Sequence, residues 1–330
     1  MMKRLFFSLI IASILVGCSS NSGQEITDLG DDPDDWSAHS FAEQPGLHWA
    51  SVEFDDRQRR FAVYLPDDVD QRTGPLLFVF HGGGGDVERI RRVGFEEHAD
   101  EDGGVIIYPE GVDGHWADGR DASTTSEQTG VDDVAFVKRL VQMAEANLSF
   151  DDDRVVATGA SNGGMMSFRL ACEAAEPFDV VAPVIAALPQ KIRDKCNPAE
   201  PPSLVGVQGS EDPFIPIDGG EVSHEDFERL GGGGTVESAE STMGHFAGLL
   251  GCDDQPEVDE LAPIVDDDPT RVNRHRFNNC SDDGQLTYYL VEQMGHVWPP
   301  HRGLVPRVSG TRSRQMDATE TIWEFVQQPP

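Results

Sequence analysis

Apolar runs separated by polar, helically spaced stretches dominate the chain from residue 47 onward. Pro75-Leu-Leu-Phe-Val-Phe80 is continuously apolar, the pattern of a central strand covered on both faces. Residues 104–108, 155–158, 179–186 and 203–208 repeat that pattern and read as further buried strands. Between them, residues 86–99 are expected to be helical. A helix starting at Asp132 or Asp133 and running to Asn147 carries Val134, Phe136, Val137, Leu140, Val141 and Ala144 at helical spacing. Residues 165–175 and 238–250 read as two more helices. Residues 47–54 and 60–65 flank the polar turn Asp55-Asp-Arg-Gln58 as a hairpin, and residues 271–277 and 285–293 as two late strands. Asp317-Ala-Thr-Glu320 is a capping box opening a last helix over 318–327. Residues 110–130 read as a long loop, and the glycine-rich 218–235 as a loop or flap. Strands alternating with helices predict the α/β class, a mostly parallel central sheet with helices on both faces.

The first residues follow a different pattern. Lys3 and Arg4 precede an apolar stretch, 5–16, that is too short to span a bilayer. Leu15-Val-Gly-Cys18 then resembles a bacterial lipobox. Residues 1–17 are therefore expected to be a lipoprotein signal peptide, cut before Cys18, whose thiol would carry the lipid. Residues 18–46, with Asp28, Asp31, Asp32, Asp34 and Asp35 and no periodicity, are expected to be an acidic flexible tether. Residues 47–330 would then form a single catalytic domain, exported and anchored to the cell envelope or released outside it.

Charge narrows the partners. Acidic residues number 59 against 25 basic, a net charge of −34. Such a surface repels nucleic acid and anionic membrane, so membrane contact is expected only through the lipid at Cys18. A heavily hydrated, salt-tolerant surface explains the excess more simply than a cationic partner, and the chain is expected to act as a monomer. Beyond Cys18 there are four cysteines, Cys172, Cys196, Cys252 and Cys280. In an exported chain an even number suggests disulfides. Three pairings are open, and proximity in sequence favours Cys172–Cys196 with Cys252–Cys280. No C-x-x-C or clustered His/Cys spacing suggests a metal, and no cofactor is expected.

The chemistry centres on Gly159-Ala-Ser161-Asn-Gly163, a G-x-S-x-G turn between the strand at 155–158 and the helix that follows. In that context the motif describes a nucleophile elbow with Ser161 at its apex. Three supporting groups should stand at other strand ends. An oxyanion hole would use the amide of Asn162 and one from His81-Gly-Gly-Gly84, first of all Gly83, with its neighbours Gly82 and Gly84 as the alternatives. The run lacks the lysine of a P-loop and the spacing of a dinucleotide fingerprint, which argues against phosphate binding. Among ten histidines, His296 lies past the last strand on a loop with Gly295 and Trp298, the place for a general base. His301, beside Pro299-Pro300, would stand at a pocket rim. Asp212, just after the strand 203–208 and before Pro213, is favoured over Glu211 and Asp218 as the acid that orients the base. Trp116, His115 and Trp298 are candidate substrate-binding residues.

The order Ser161, Asp212, His296 is that of α/β hydrolases. Beyond the triad, the chain resembles the polyhydroxybutyrate depolymerase and feruloyl esterase group of secreted α/β hydrolases, related to carbohydrate esterase family 1. The resemblance rests on Val79-Phe-His-Gly-Gly-Gly-Gly85, Tyr108-Pro-Glu-Gly-Val112, Trp116-Ala-Asp-Gly-Arg120, Val131-Asp-Asp-Val134, residues 159–172, Asp212-Pro213 with residues 216–220, Gly295-His-Val-Trp-Pro299 and residues 318–325. It spans roughly residues 48–326. It implies the α/β-hydrolase fold, Ser161 as nucleophile, Asp212 as acid, His296 as base, and the Cys172–Cys196 and Cys252–Cys280 disulfides. Gln208 stands where the family often has histidine, and Ala117 where it often has asparagine. The resemblance further implies a serine esterase acting on short-chain, hydroxyalkanoate-oligomer, aryl or polysaccharide-linked esters. A serine peptidase and a non-catalytic surface lipoprotein are the alternatives.

Overall fold

The computed structural model describes residues 26–28, 44–68, 72–222, 232–301 and 308–328. The expected signal peptide and Cys18 lie outside the described residues, as do most of the expected tether and residues 223–231 of the expected flap. Within the stretch expected to be tether, Ile26–Asp28 forms a short strand, β1. The hairpin follows as β2 (Gly46–Phe54) and β3 (Arg57–Leu65). β4 (Pro75–Phe80), β5 (Val105–Pro109), β6 (Asp151–Ala160), β7 (Val180–Val184) and β8 (Ser203–Gly209) are the central strands. Gly220–Glu221 (β9) and Thr235–Val236 (β10) form a small separate ladder inside the region expected to be a flap. Glu257–Glu260 (β11), Arg271–Phe277 (β12) and Leu286–Glu292 (β13) complete the set. The main sheet has the order β1-β2-β3-β5-β4-β6-β7-β8-β13-β12-β11. Its middle, β5 through β13, is parallel, whereas β3 joins β5 and β12 joins β13 antiparallel.

β4 shows why the centre is parallel and apolar throughout. Leu76, Phe78 and Phe80 face one core cluster with Phe136, Leu140 and Phe168, while Leu77 and Val79 face a second with Phe95, Ile322 and Trp323. Successive side chains point to opposite faces, so a strand with helices on both sides needs no polar positions. Helices α1 (Val87–Ile90), α2 (Phe95–Asp102), α3 (Thr125–Gln128), α4 (Asp133–Asn147), α5 (Asn162–Glu173), α6 (Gln190–Arg193), α7 (Ala239–Leu249) and α8 (Ala318–Gln327) cover the sheet and its loops. Side-chain caps fix three of the longer starts. Asp132 accepts from the Ala135 amide, Ser238 from Ser241, and Asp317 from Thr319 and Glu320.

Three local expectations change. The helix expected over 86–99 is broken at Gly94, whose φ of 93° ends one helical segment and starts the next. The hairpin turn is two residues, not four. Asp55 and Asp56 both adopt positive φ, 53° and 56°, as a tight primed turn requires. β11 was not legible as a strand because Glu257-Val-Asp-Glu260 is acidic and lies at the sheet edge. There Arg274 and Arg276 of β12 meet Asp259 at 2.7 and 3.2 Å. The cysteines pair as Cys172–Cys196 and Cys252–Cys280.

Candidate active site

The sharp turn after β6 dictates the geometry at Ser161. Its φ is 56° and ψ −119°, a strained conformation for a non-glycine residue that costs about 1–3 kcal/mol. The glycines on either side make the turn possible. A Cβ on Gly163 would collide with the carbonyl oxygen of Phe80, and on Gly159 it would lie 2.6 Å from the same atom. The amide of Ser161 donates to Val184 at 3.0 Å, which ties the turn to the end of β7. Asn162 opens α5, so its amide has no acceptor within the helix and the helix dipole adds positive potential there.

His296 and Asp212 converge on the same end of the sheet from β13 and β8. Asp212 Oδ2 accepts from His296 Nδ1 at 2.7 Å, and its Oδ1 accepts from the amides of Phe214 and Ile215 at 2.8 and 3.0 Å. A carboxylate opposite Nδ1 holds the proton there and leaves Nε2 as the basic nitrogen. The ring is held from two further sides. Phe214 packs edge-on at 5.0 Å, and the His296 amide donates to Ser309 at 2.6 Å. Ser161 and His296 line one cleft of about 390 Å³, with Asp212 buried behind the histidine. That volume lies within the usual small-molecule range. Glu211 and Asp218 are not on the cleft wall.

The glycine loop after β4 is braced from behind. His81 is fully enclosed, with its Nδ1 2.9 Å from the Gly82 carbonyl and its Nε2 accepting from the Gly111 amide at 3.0 Å. Burial lowers its pKa to about 4, so the ring is neutral and a fixed spacer. Gly82 lines the cleft beside Ser161. Gly84 does not, and its amide is committed to the carbonyl of Gly114 at 2.8 Å. Gly83 is also off the wall. Of the three glycines expected to serve the oxyanion, Gly82 is the one on the cleft wall.

Two of the expected substrate residues are placed elsewhere. Trp116 has no solvent exposure and packs on Phe80 and His81 at 5.2 and 5.0 Å. Its Nε1 donates to the His81 carbonyl at 2.9 Å. It is a brace for the glycine loop, not part of the cleft wall. His115 sits in the neighbouring turn with its Nδ1 2.8 Å from the Asp113 carbonyl, also off the wall. Trp298 does line the cleft, together with His301. Arg89, Ile90, Arg92 and Val93 line it too, and nothing in the sequence marked them: the first two close α1, and the other two lie in the short 3-10 turn between α1 and α2. Ile185, at the end of β7, also faces the cleft with a φ of 48°, rare for a β-branched residue.

A buried polar network holds the elbow from the far side. Asn162 Nδ2 donates to Asp118 Oδ2 at 2.6 Å and to the Trp116 carbonyl, and its Oδ1 accepts from the Trp116 amide at 2.8 Å. Asp118 also meets Arg120 at 3.3 Å, both almost wholly buried. A second buried pair, Arg59–Asp133 at 2.7 Å, fixes the same loop, because Asp133 accepts from the Ala117 amide at 2.7 Å. The motifs Trp116–Arg120 and Val131–Val134 thus position the serine without touching the cleft. Gln208 is buried within the sheet and accepts from the Tyr288 hydroxyl at 2.6 Å.

Residues 51–188 match the family model described as "Putative esterase". The chain is 30% identical over 260 residues to "Putative esterase NocK" of Nocardia uniformis subsp. tsuyamanensis, covering 76% of this chain and 74% of that protein. It is 29% identical over 170 residues to feruloyl esterase C of Emericella nidulans, covering 49% of this chain and 58% of that protein. Among solved structures, an acetyl xylan esterase from Aspergillus awamori superposes with a TM-score of 0.51 at 16% identity, covering 74% of this chain and 90% of that one. The overall architecture is the α/β-hydrolase fold.

Proposed function

Because this chain belongs to the esterase family that includes NocK and the feruloyl esterases, we propose that it performs its carboxylic ester hydrolysis by two-step acyl transfer at Ser161. His296 Nε2 removes the hydroxyl proton as Ser161 attacks the ester carbonyl. Asp212 stabilises the imidazolium that forms. The amides of Asn162 and Gly82 receive the developing oxyanion. His296 then protonates the leaving alcohol, and water, activated by the same ring, releases the acid. The observation that carries this reading is a 2.7 Å His296–Asp212 contact beside a serine held at a strained strand-to-helix turn. Ser161→Ala should lower hydrolysis of 4-nitrophenyl butyrate by on the order of 10⁴-fold or more, and should abolish fluorophosphonate labelling, with the melting curve unchanged. Retained turnover in that variant would overturn the assignment.

The names of the feruloyl esterase relatives make aryl and polysaccharide-linked esters first candidates as substrates. The apolar wall of Ile90, Val93, Ile185 and Trp298 suits an aryl or short acyl group. Hydroxyalkanoate oligomers belong in the same substrate screen, and no cofactor is required. The lipobox at Leu15–Cys18 and the two disulfides support export with a lipid anchor at Cys18. Palmitate labelling of cells, lost in Cys18→Ser, tests that placement. Among the described residues no helix is long and apolar enough to cross a membrane.

A further inference from the structure

The cleft beside Ser161 is lined by two arginines and no carboxylate among the described residues, in a molecule that is overwhelmingly acidic. Its ionisable lining is His81, Arg89, Arg92, His296 and His301, and no aspartate or glutamate lines it among the described residues. The whole chain carries 59 acidic against 25 basic residues, so a wall without a carboxylate is a departure from the rest of the surface. Most of these basic groups are already engaged. His81 braces the glycine loop, and Asp212 holds His296. Arg89 donates to the Gly84 carbonyl at 2.9 Å and lies 3.6 Å from Asp86. Arg91 takes up Glu88 and Glu96.

Two groups remain. Arg92 is exposed on the cleft wall and has no ion-pair partner among the described residues. His301 shares that wall, and its Nε2 is buried with no hydrogen-bond partner. A buried polar atom is ordinarily satisfied, so an unsatisfied one on a cleft wall points to a ligand. Resting on the esterase reading above, we propose that Arg92 and His301 form a carboxylate subsite, so that the preferred esters carry a free carboxylate besides the scissile bond. A guanidinium matches a carboxylate with paired N–H donors, and the imidazole adds a third donor. In a partly enclosed cleft this attraction is screened less than the repulsion from distant surface acids. The apolar side chains of Ile90, Val93, Ile185 and Trp298 would hold the short carbon skeleton between ester and carboxylate.

Two matched pairs of esters test this. 4-Nitrophenyl hydrogen adipate against 4-nitrophenyl hexanoate places the carboxylate on the acyl side. 3-Acetoxybenzoate against 3-acetoxybenzamide places it on the alcohol side. The measured quantity is the ratio of kcat/KM for the anionic over the neutral member. In the native enzyme one pair should give a ratio above one. Arg92→Gln should lower that ratio at least tenfold, Arg92→Lys should restore much of it, and His301→Gln should lower it independently. Hydrolysis of the neutral members with no anionic preference, or a ratio unmoved in both Arg92→Gln and His301→Gln, overturns the subsite and leaves the esterase reading intact. Failure of the native enzyme to hydrolyse any of the four overturns the esterase reading itself.

Discussion

Asp118 is not on the cleft wall, yet it fixes Asn162, whose amide we propose as an oxyanion donor. Its carboxylate is wholly buried and shared between Asn162 Nδ2 at 2.6 Å and the Arg120 guanidinium at 3.3 Å. Asp118→Asn keeps the volume and removes the charge. The Asn162 contact weakens, and the ion pair with Arg120 is lost. Small misplacement near a reacting centre costs up to about 100-fold in rate. We expect kcat for 4-nitrophenyl butyrate to fall roughly 10- to 100-fold with KM little changed. A matching loss in KM alone would show that Asp118 acts on binding and not on the elbow. Nothing in Trp116-Ala-Asp-Gly-Arg120 revealed this role, because the contact joins residues 44 apart in sequence. Separation along the chain also hid the true place of Trp116, whose ring meets His81 from 35 residues away. As a lone tryptophan in a long loop it fitted a pocket wall equally well.

At the scale of elements, the elbow works because β6 and α5 press their turn against the end of β4. A Cβ on Gly163 would collide with the Phe80 carbonyl oxygen and lie 2.6 Å from that of His81, so the backbone of the oxyanion loop would have to move. Gly163→Ala should therefore cost about 1–3 kcal/mol of stability and most of the activity together. Urea unfolding midpoints and turnover measured on one preparation check this. A variant that is fully active with an unchanged midpoint would show that the loop can yield. This element was legible, since the glycines follow directly from the turn. The break at Gly94 was not. A single glycine inside a helical pattern costs about 1 kcal/mol and does not by itself end the helix, whereas the structure gives Gly94 a left-handed φ of 93° between the two segments. That break delivers Arg92 to the cleft.

For the whole molecule, the stability response to pH has an identifiable source. His81 is neutral in the folded protein, with a pKa lowered to about 4 by burial, against about 6.5 when unfolded. The unfolded chain therefore takes up a proton first as the pH drops. Stability present above pH 6.5 is lost between about pH 6.5 and 4, on the order of 3 kcal/mol in all. Glu127 acts oppositely. Burial first, and then the nearby Asp118 charge, raise its carboxyl to about 7, so it favours the folded state at the acid end of the range. It is partly exposed, which weakens its contribution. Melting temperatures of the native protein and His81→Asn between pH 7 and 4 test the balance. We expect the native protein to lose stability more steeply, and equal slopes would remove His81 as the cause.

The sequence by itself determined the fold class and the strand-end positions of Ser161, Asp212 and His296, and it favoured, without determining, the two cysteine pairs that the structure shows. Each of these is written in local signals: apolar runs of strand length, helical spacing, glycines at a forced turn, and short loops. Only the tertiary structure decided which of the three glycines lines the cleft, that Trp116 is a brace, and that Asp118 and Asp133 clamp the elbow. It also decided that two arginines from a broken helix line the cleft. These depend on contacts between residues far apart in the chain, where burial and the direction of a side chain, not residue type, set the role.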